Sequence, residues 1–218
     1  LNIATGIANI YHREPGVANA FQPARETPME LGKLGVWYFL DGLPAGEAAK
    51  AAKRIEDLGY GTLWIPETVG RHPLVAASWL LANTEKLNIA TGIANIYHRE
   101  PGVALAGQMT LAEQSGDRFL LGMGVSHKPL VEGVRGLEYG PPVATMRKYL
   151  EGMDSAPYNG FKPPAQPPRV IAALGPKMLE LAAEKCDGAH PYFTSPEHTA
   201  MARKILGPDK WLCVEQKV

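Results

Sequence analysis

From Leu34 onward, short runs of β-branched and aromatic residues alternate with stretches of helical periodicity, which restricts the chain to folds built from repeated βα units. The strand segments are 34–40 (LGVWYFL), 61–66 (GTLWIP), 87–94 (LNIATGIA), 118–125 (RFLLGMGV), 168–174 (PRVIAAL), 188–193 (GAHPYF) and 211–217 (WLCVEQK), seven in all. Helices fit between them at 44–58, 73–84, 102–115, 142–154, 176–186 and 196–205. The first opens with Pro44 in its first turn and closes at Gly59, placing Ala48, Ala52, Ile55 and Leu58 on one face. In the last, Ser195 reads as the N-cap, with Pro196 at the first helical position and His198 three residues on. Strands covered by helices imply a parallel sheet, either closed as a (β/α) barrel or open and doubly wound. At 218 residues the chain lies near the lower size limit of one (β/α)8 barrel, so a single domain is expected.

Residues 1–18 (LNIATGIANIYHREPGVA) recur unchanged at 87–104. Two identical copies do not make a solenoid, which needs several stacked and drifting units. The second copy lies within the regular alternation and is the native strand. The first is joined to the rest by the Pro-containing stretch 19–30 and reads as a duplicated strand and linker over residues 1–33, ahead of a barrel domain over 34–218. Counted with the seven, it makes eight, the number that closes a small barrel, so residues 1–10 are expected to stand in the eighth position; a swapped dimer, in which the copy displaces the 87–94 strand of a neighbouring molecule, is the main alternative, and an unpaired tail the other.

Lys plus Arg and Asp plus Glu each number 22, so the overall field gives no reason to expect nucleic acid or an anionic membrane as partner. A small-molecule substrate fits better. Cys186 and Cys213 lack metal-type spacing and read as reduced thiols of a cytoplasmic protein. No apolar run approaches the roughly 20 residues that cross a bilayer.

Chemistry-bearing residues gather where strands end. Strand four runs into Gly122-Met123-Gly124-Val125-Ser126-His127, where small residues let backbone approach a ligand and a hydroxyl and an imidazole follow; a tight turn is the equal alternative. Strand five runs through Leu174-Gly175-Pro176-Lys177 into a helix that starts at Pro176, offering free N–H groups and a positive dipole end to an anion. This is neither a Walker loop nor a dinucleotide fingerprint. Gly92 inside an apolar strand marks a bulge or a close backbone approach, and Tyr97, His98 and Arg99 after it read as loop. Glu67 ends strand two as a solvated carboxylate or a partner for Arg71. His127 and His98 have the titration range for acid–base work. His190 and Tyr192 point either into the barrel or toward the helices. The long Gly/Pro-rich segment between strands four and five is expected over the C-terminal face. No hydrolase triad and no metal site can be assembled from these residues.

The runs LGYGTLWIPE (58–67), LNIATGIANIYHREP (87–101), LAEQSGDRFLLGMGVSH (111–127), RVIAALGPKMLELAAEKCDGAHPYF (169–193) and SPEHT (195–199), in this order and spacing, resemble the luciferase-like monooxygenase superfamily in its coenzyme F420-dependent branch. The resemblance implies a TIM-type barrel with a deazaflavin or flavin ring in its mouth, a cis peptide at Gly92–Ile93 behind the ring, and coenzyme contacts from Gly92, Ile93, Ala94, Asn95, Arg99, Gly124, Ser126, Leu174, Gly175, Pro176 and Lys177. It implies acid–base residues at Glu67 (or Thr68) and His127. The sequence departs there from the sugar-phosphate dehydrogenase pattern of His and Glu, so that substrate is not carried over. Members continue past strand seven, so a barrel lacking its last βα unit is expected. The reading is therefore an oxidoreductase that uses coenzyme F420 for hydride transfer with a small organic substrate. FMN-dependent monooxygenase chemistry is the alternative, as is a truncated, inactive barrel serving as a folding or oligomer module. By family analogy the assembly is a homodimer or higher homo-oligomer.

Overall fold

The computed structural model describes residues 29–163 and 165–216. Eight strand segments, β1 (Gly35–Trp37), β2 (Thr62–Ile65), β3 (Asn88–Thr91), β4 (Ala94–Asn95), β5 (Phe119–Gly124), β6 (Arg169–Ile171), β7 (Gly188–Ala189) and β8 (Trp211–Leu212), alternate with helices. The helices are α1 (Ala45–Asp57), α2 (Pro73–Ala82), α3 (Pro101–Ser115), α4 (Pro142–Ser155), α5 (Pro176–Lys185) and α6 (Pro196–Leu206). Every pairing is parallel, and the order β1-β2-β3-β5-β6-β7-β8 follows the sequence, with β4 taking over from β3 beside β5. An order that never reverses direction excludes the doubly wound sheet and gives an incomplete barrel of seven positions. Residues 1–10, expected in the eighth position, lie outside the described residues.

Side chains divide by the period of two that strands impose. Leu63 and Ile65 of β2, Ile89 of β3, Phe119 and Leu121 of β5 and Ile171 of β6 face outward into the core shared with the helices. Trp64, Ala90, Leu120 and Val170 face inward, where Met29 and Leu31 join them together with Trp37, Trp211 and Cys213. The segment before β1 is tied to this end of the barrel: Thr62 Oγ1 donates to Leu31 O at 2.7 Å and Asn88 Nδ2 to Glu30 O at 2.8 Å. The SGDRF stretch has a structural task. Gly116 ends α3 in the left-handed conformation at φ 61°, and the Arg118 guanidinium then donates to Leu81 O and Leu87 O at 2.9 and 3.0 Å, fastening the loop after α2 to β5.

All seven strand positions and six helices stand where expected, with shorter ladders. Within the described residues 211–216 of the last strand segment, pairing covers Trp211–Leu212 and one further bridge, Tyr192 to Glu215, because Pro191 opposite has no N–H to give. One face assignment is corrected: Leu58 is exposed, because it caps α1 rather than belonging to it, and Ala49 joins Ala48 and Ala52 instead. Ser195 caps α6 as expected, accepting from His198 N at 3.3 Å. One element was not anticipated, a π-helical turn at Pro129–Val134. Among the described residues no helix is long and apolar enough to cross a membrane.

Candidate functional site

The C-terminal strand ends surround a cavity of about 870 Å³. One wall comes from the β3–β4 junction. Ala90 pairs with Leu120, yet Ala94 pairs with Met123, so four steps on one strand answer three on the other. The extra residue is a bulge at Gly92 and Ile93, whose peptide bond is cis as the family resemblance implies. Gly92 N donates to Ile65 O at 2.8 Å, and Trp37 Nε1 donates to Gly92 O at 2.8 Å. A Cβ at Gly92 would lie 2.9 Å from Trp37 Nε1 and 3.0 Å from His190 Nε2, which is why only glycine fits here.

Behind the bulge, Glu67 acts as a clamp. Its N–H donates to Ile93 O, its Oε2 accepts from Asn95 N at 2.7 Å, and its Oε1 meets His98 Nδ1 at 3.1 Å and Arg99 Nη2. The ion pair is nearly dry, with side chains 7% and 5% exposed for Glu67 and Arg99. One reading is corrected here. The partner of Glu67 is Arg99 rather than Arg71, which instead reaches Leu40 O and Leu43 O. The loop after β4 begins with a 3-10 turn, Ile96–His98, in which Asn95 Oδ1 accepts from Tyr97 N at 3.0 Å, and half-buried His98 and Arg99 join Glu67 in an ion cluster.

The opposite wall is made by two turns. After β5, Ser126 sits in the left-handed region at φ 55°, its carbonyl accepting from Tyr139 Oη at 3.3 Å. His127 is exposed and lines the cavity, while its carbonyl accepts from Leu130 N and Val131 N to start the π turn. After β6, Gly175 precedes α5 with no side-chain cap; Pro176 has no N–H and Met178 N donates to Gly175 O at 3.1 Å, so the main-chain donors left to this turn beside the cavity are those of Gly175 and Lys177. His198 braces this turn by donating from Nε2 to Leu174 O at 2.6 Å. The segment after β5 covers part of the mouth: Tyr139 stacks on Tyr97, Gly140 N donates to Tyr97 Oη at 3.0 Å, and Arg135 Nη2 reaches Thr68 O at 2.8 Å.

The cavity thus brings together Glu67, Gly92, Ile93, Ser126, His127, Leu174, Gly175, Pro176 and Lys177. Ala94, Asn95, Arg99 and Gly124 do not line it; the first three pack behind the bulge, and Gly124 supports Ile93 and Ala172, against which its Cβ would press at 2.7 and 3.3 Å. Sequence reasoning passed over Trp37, Tyr139 and Glu215 and left His190 undecided. His190 points inward and stacks on Trp64 with ring centres 4.3 Å apart. Burial pushes its pKa down to about 4, while burial pushes the Glu215 carboxyl up to about 7. The inward direction follows from alternation: Ala189 packs in the outer core, so its neighbour faces the barrel.

The profile of the luciferase-like monooxygenase family matches residues 24–206. A protein of Mycobacterium tuberculosis named as a coenzyme F420-dependent oxidoreductase is 30% identical over 212 residues, covering 83% of this chain and 60% of the relative. Coenzyme F420 dependent tetrahydromethanopterin reductase from Methanopyrus kandleri superposes with a TM-score of 0.66 at 21% identity, over 79% of this chain and 59% of that one. The oxygenating constituent of 3,6-diketocamphane monooxygenase from Pseudomonas putida, in complex with FMN, superposes with a TM-score of 0.66 at 15% identity, over 79% of this chain and 60% of that one. At such identities the two structural likenesses establish the fold alone. This chain spans less than two thirds of the length of each of the three.

Proposed function

The chain belongs to the luciferase-like monooxygenase family, and on that premise we propose that it is an oxidoreductase barrel that binds coenzyme F420 in its mouth for hydride exchange with a small organic substrate. The observation that carries this reading is a single cavity of about 870 Å³ that joins the glycine-faced bulge to an uncapped helix N-terminus. Trp37, Gly92 and Ile93 offer a flat, largely apolar wall to a planar ring. Ser126, Gly175 and Lys177 offer a hydroxyl, main-chain donors and a cation to a phosphate, aided by the positive end of α5. The residues present therefore fit a phosphate-bearing ring coenzyme.

When bound, the coenzyme supplies the two-electron chemistry. The protein's own part is to position, to exclude water and to handle protons. Glu67 holds the bulge in place through Ile93 and Asn95, and Tyr139, Val143 and Leu174 shield the mouth. His127, exposed at the rim, is in reach of solvent and of the cavity and serves as a proton donor or acceptor toward substrate. FMN is the second candidate occupant, since it offers a planar ring and a phosphate and is bound by a relative of the same fold. Val75 and Trp79, exposed on the apolar helix α2, support assembly as a homo-oligomer.

The test is a fluorescence titration of the protein with coenzyme F420 and with FMN. One of them binds, and Lys177→Ala weakens that binding by about tenfold, more at low than at high salt, because a charge-assisted contact to phosphate is lost. If neither coenzyme binds, the barrel is no coenzyme enzyme and the folding or oligomer module remains. If Lys177→Ala binds as tightly as the parent, the phosphate is not held at α5.

A further inference from the structure

Two groups in the mouth have no task in the arrangement above. His190 follows β7 and lies flat on Trp64, the planes inclined by 14°. Its Nδ1 donates to Cys213 O at 2.7 Å, so the neutral ring presents a lone pair at Nε2. That atom is buried without a hydrogen-bond partner, 3.8 Å from Glu215 Oε2. Glu215 is fixed by its backbone: its N–H donates to Pro191 O at 2.9 Å, and its carbonyl accepts from Phe193 N at 3.0 Å. Its side chain is 12% exposed.

Among the described residues no cation offsets this carboxyl: Lys177 and His127 line the same cavity, together with the clamped Glu67 and with Tyr139 and Tyr192, and only His190 comes within ion-pair distance of Glu215. The charged groups on the side of β1 and β8 are Lys33, Arg203, Asp209 and Lys210. Arg203 is committed to Gly207 O and Lys210 O, and Lys210 to Cys186 O.

We propose that Glu215 is a proton-exchanging group of the mouth, positioned by His190, passing its proton to a bound ligand and regaining one from solvent. In the step, the Glu215 O–H bond breaks and an O–H or N–H bond forms on a ligand heteroatom. The carboxylate left behind takes a proton from hydronium or a buffer acid that reaches the mouth, which leaves water or the buffer base behind, and no electrons change hands. Burial determines where the proton rests. A charged imidazole is disfavoured down to about pH 4 and a charged carboxylate up to about pH 7, so between these the pair is neutral with the proton on Glu215. The inference rests on the mouth being the ligand site, and its first test does not use the coenzyme.

Infrared titration of the free 218-residue chain, subtracting Glu215→Gln from the parent, reads the protonated carboxyl directly. The expected band is present at about pH 6 and fades with a midpoint near 7. A midpoint below about 5 overturns the proposal. Should Glu215→Gln fail to fold, Glu215→Asp supplies the subtraction. His190→Phe, which keeps the ring on Trp64 but offers no lone pair, moves the carboxyl C=O band to higher frequency; an unmoved band removes His190 from the positioning role. The second test is calorimetry of FMN and of coenzyme F420 binding at pH 7 in buffers of different ionisation heat. Filling the mouth desolvates Glu215 further, so the parent takes up about half a proton more than Glu215→Gln. Equal proton uptake in the two proteins overturns the proposal. Absence of binding by either coenzyme sinks the coenzyme reading alone, and the infrared midpoint still decides this one.

Discussion

Replacing Glu67 with alanine isolates the clamp behind the bulge. The substitution leaves the Arg99 guanidinium, whose side chain is 5% exposed, without its carboxylate, and leaves Asn95 N–H without its acceptor at 2.7 Å. Arg99 retains only Nη1 to Asn95 O at 3.1 Å, and its Nε already lacks a partner. Removing one member of a buried pair costs about 3–5 kcal/mol, because the surviving charge stays desolvated. The orphaned N–H belongs to the same cluster, so its cost of about 1–3 kcal/mol is partly contained in that figure. For a chain of this size, about 4 kcal/mol lowers the thermal midpoint by roughly 8–16 °C. Glu67→Gln keeps the shape and one acceptor and falls by about half as much. The double variant Glu67→Gln with Arg99→Met regains part of the loss, since no charge is then left buried. Urea denaturation followed by circular dichroism measures all three. A cost below about 1 kcal/mol for Glu67→Ala would refute the clamp and return Glu67 to the role of a solvated carboxylate with acid–base duty.

Two further outcomes follow from the inner face. Gly92→Ala drives a methyl to 2.9 Å from Trp37 Nε1 and 3.0 Å from His190 Nε2, both rings being fixed by hydrogen bonds, and costs about 1–3 kcal/mol in urea denaturation; an unchanged midpoint would show that the rings give way. The His190 pKa is depressed from 6.5 to about 4, so its contribution is fully present above pH 6.5 and is lost as pH falls toward 4, about 3 kcal/mol in all. The stability difference between the parent and His190→Phe should therefore shift against the parent over that window, and a difference that stays flat would mean that His190 is already solvated.

What the sequence revealed and what it concealed divide along contact distance. The turns after β5 and β6 are local: Gly124, Ser126 and His127 follow one buried strand, Gly175 and Pro176 open one helix, and each signal lies within a few residues of its consequence. Glu67 is the opposite case. Arg71 stands four positions away and Arg99 thirty-two, and nothing local favours the farther one; the choice depends on β2 lying beside β3 in register, with Ile65 opposite Thr91. Glu215 was hidden for a related reason. It lies beyond the two-residue ladder of β8, and its partner His190 is brought near only by β7 pairing with β8.

Three of the four residues assigned to the coenzyme that do not line the mouth, Ala94, Asn95 and Arg99, show how a single inserted residue redirects a strand. Up to Thr91, alternation places Ala90 inward and Ile89 outward. A regular continuation would then keep alternate residues of the TGIAN run on the cavity. The extra residue at the bulge breaks that parity, so Gly92 and Ile93 both border the mouth while Ala94 joins the outer core. Asn95 turns instead to Tyr97 N and Glu67, and it carries Arg99 with it through Arg99 Nη1 to Asn95 O. The glycine that made the bulge legible in the sequence is thus also what misdirected the residues after it. An indel of one residue there would shift the parity again, withdrawing the Asn95 Oδ1 that accepts from Tyr97 N and the Asn95 carbonyl that accepts from Arg99 Nη1.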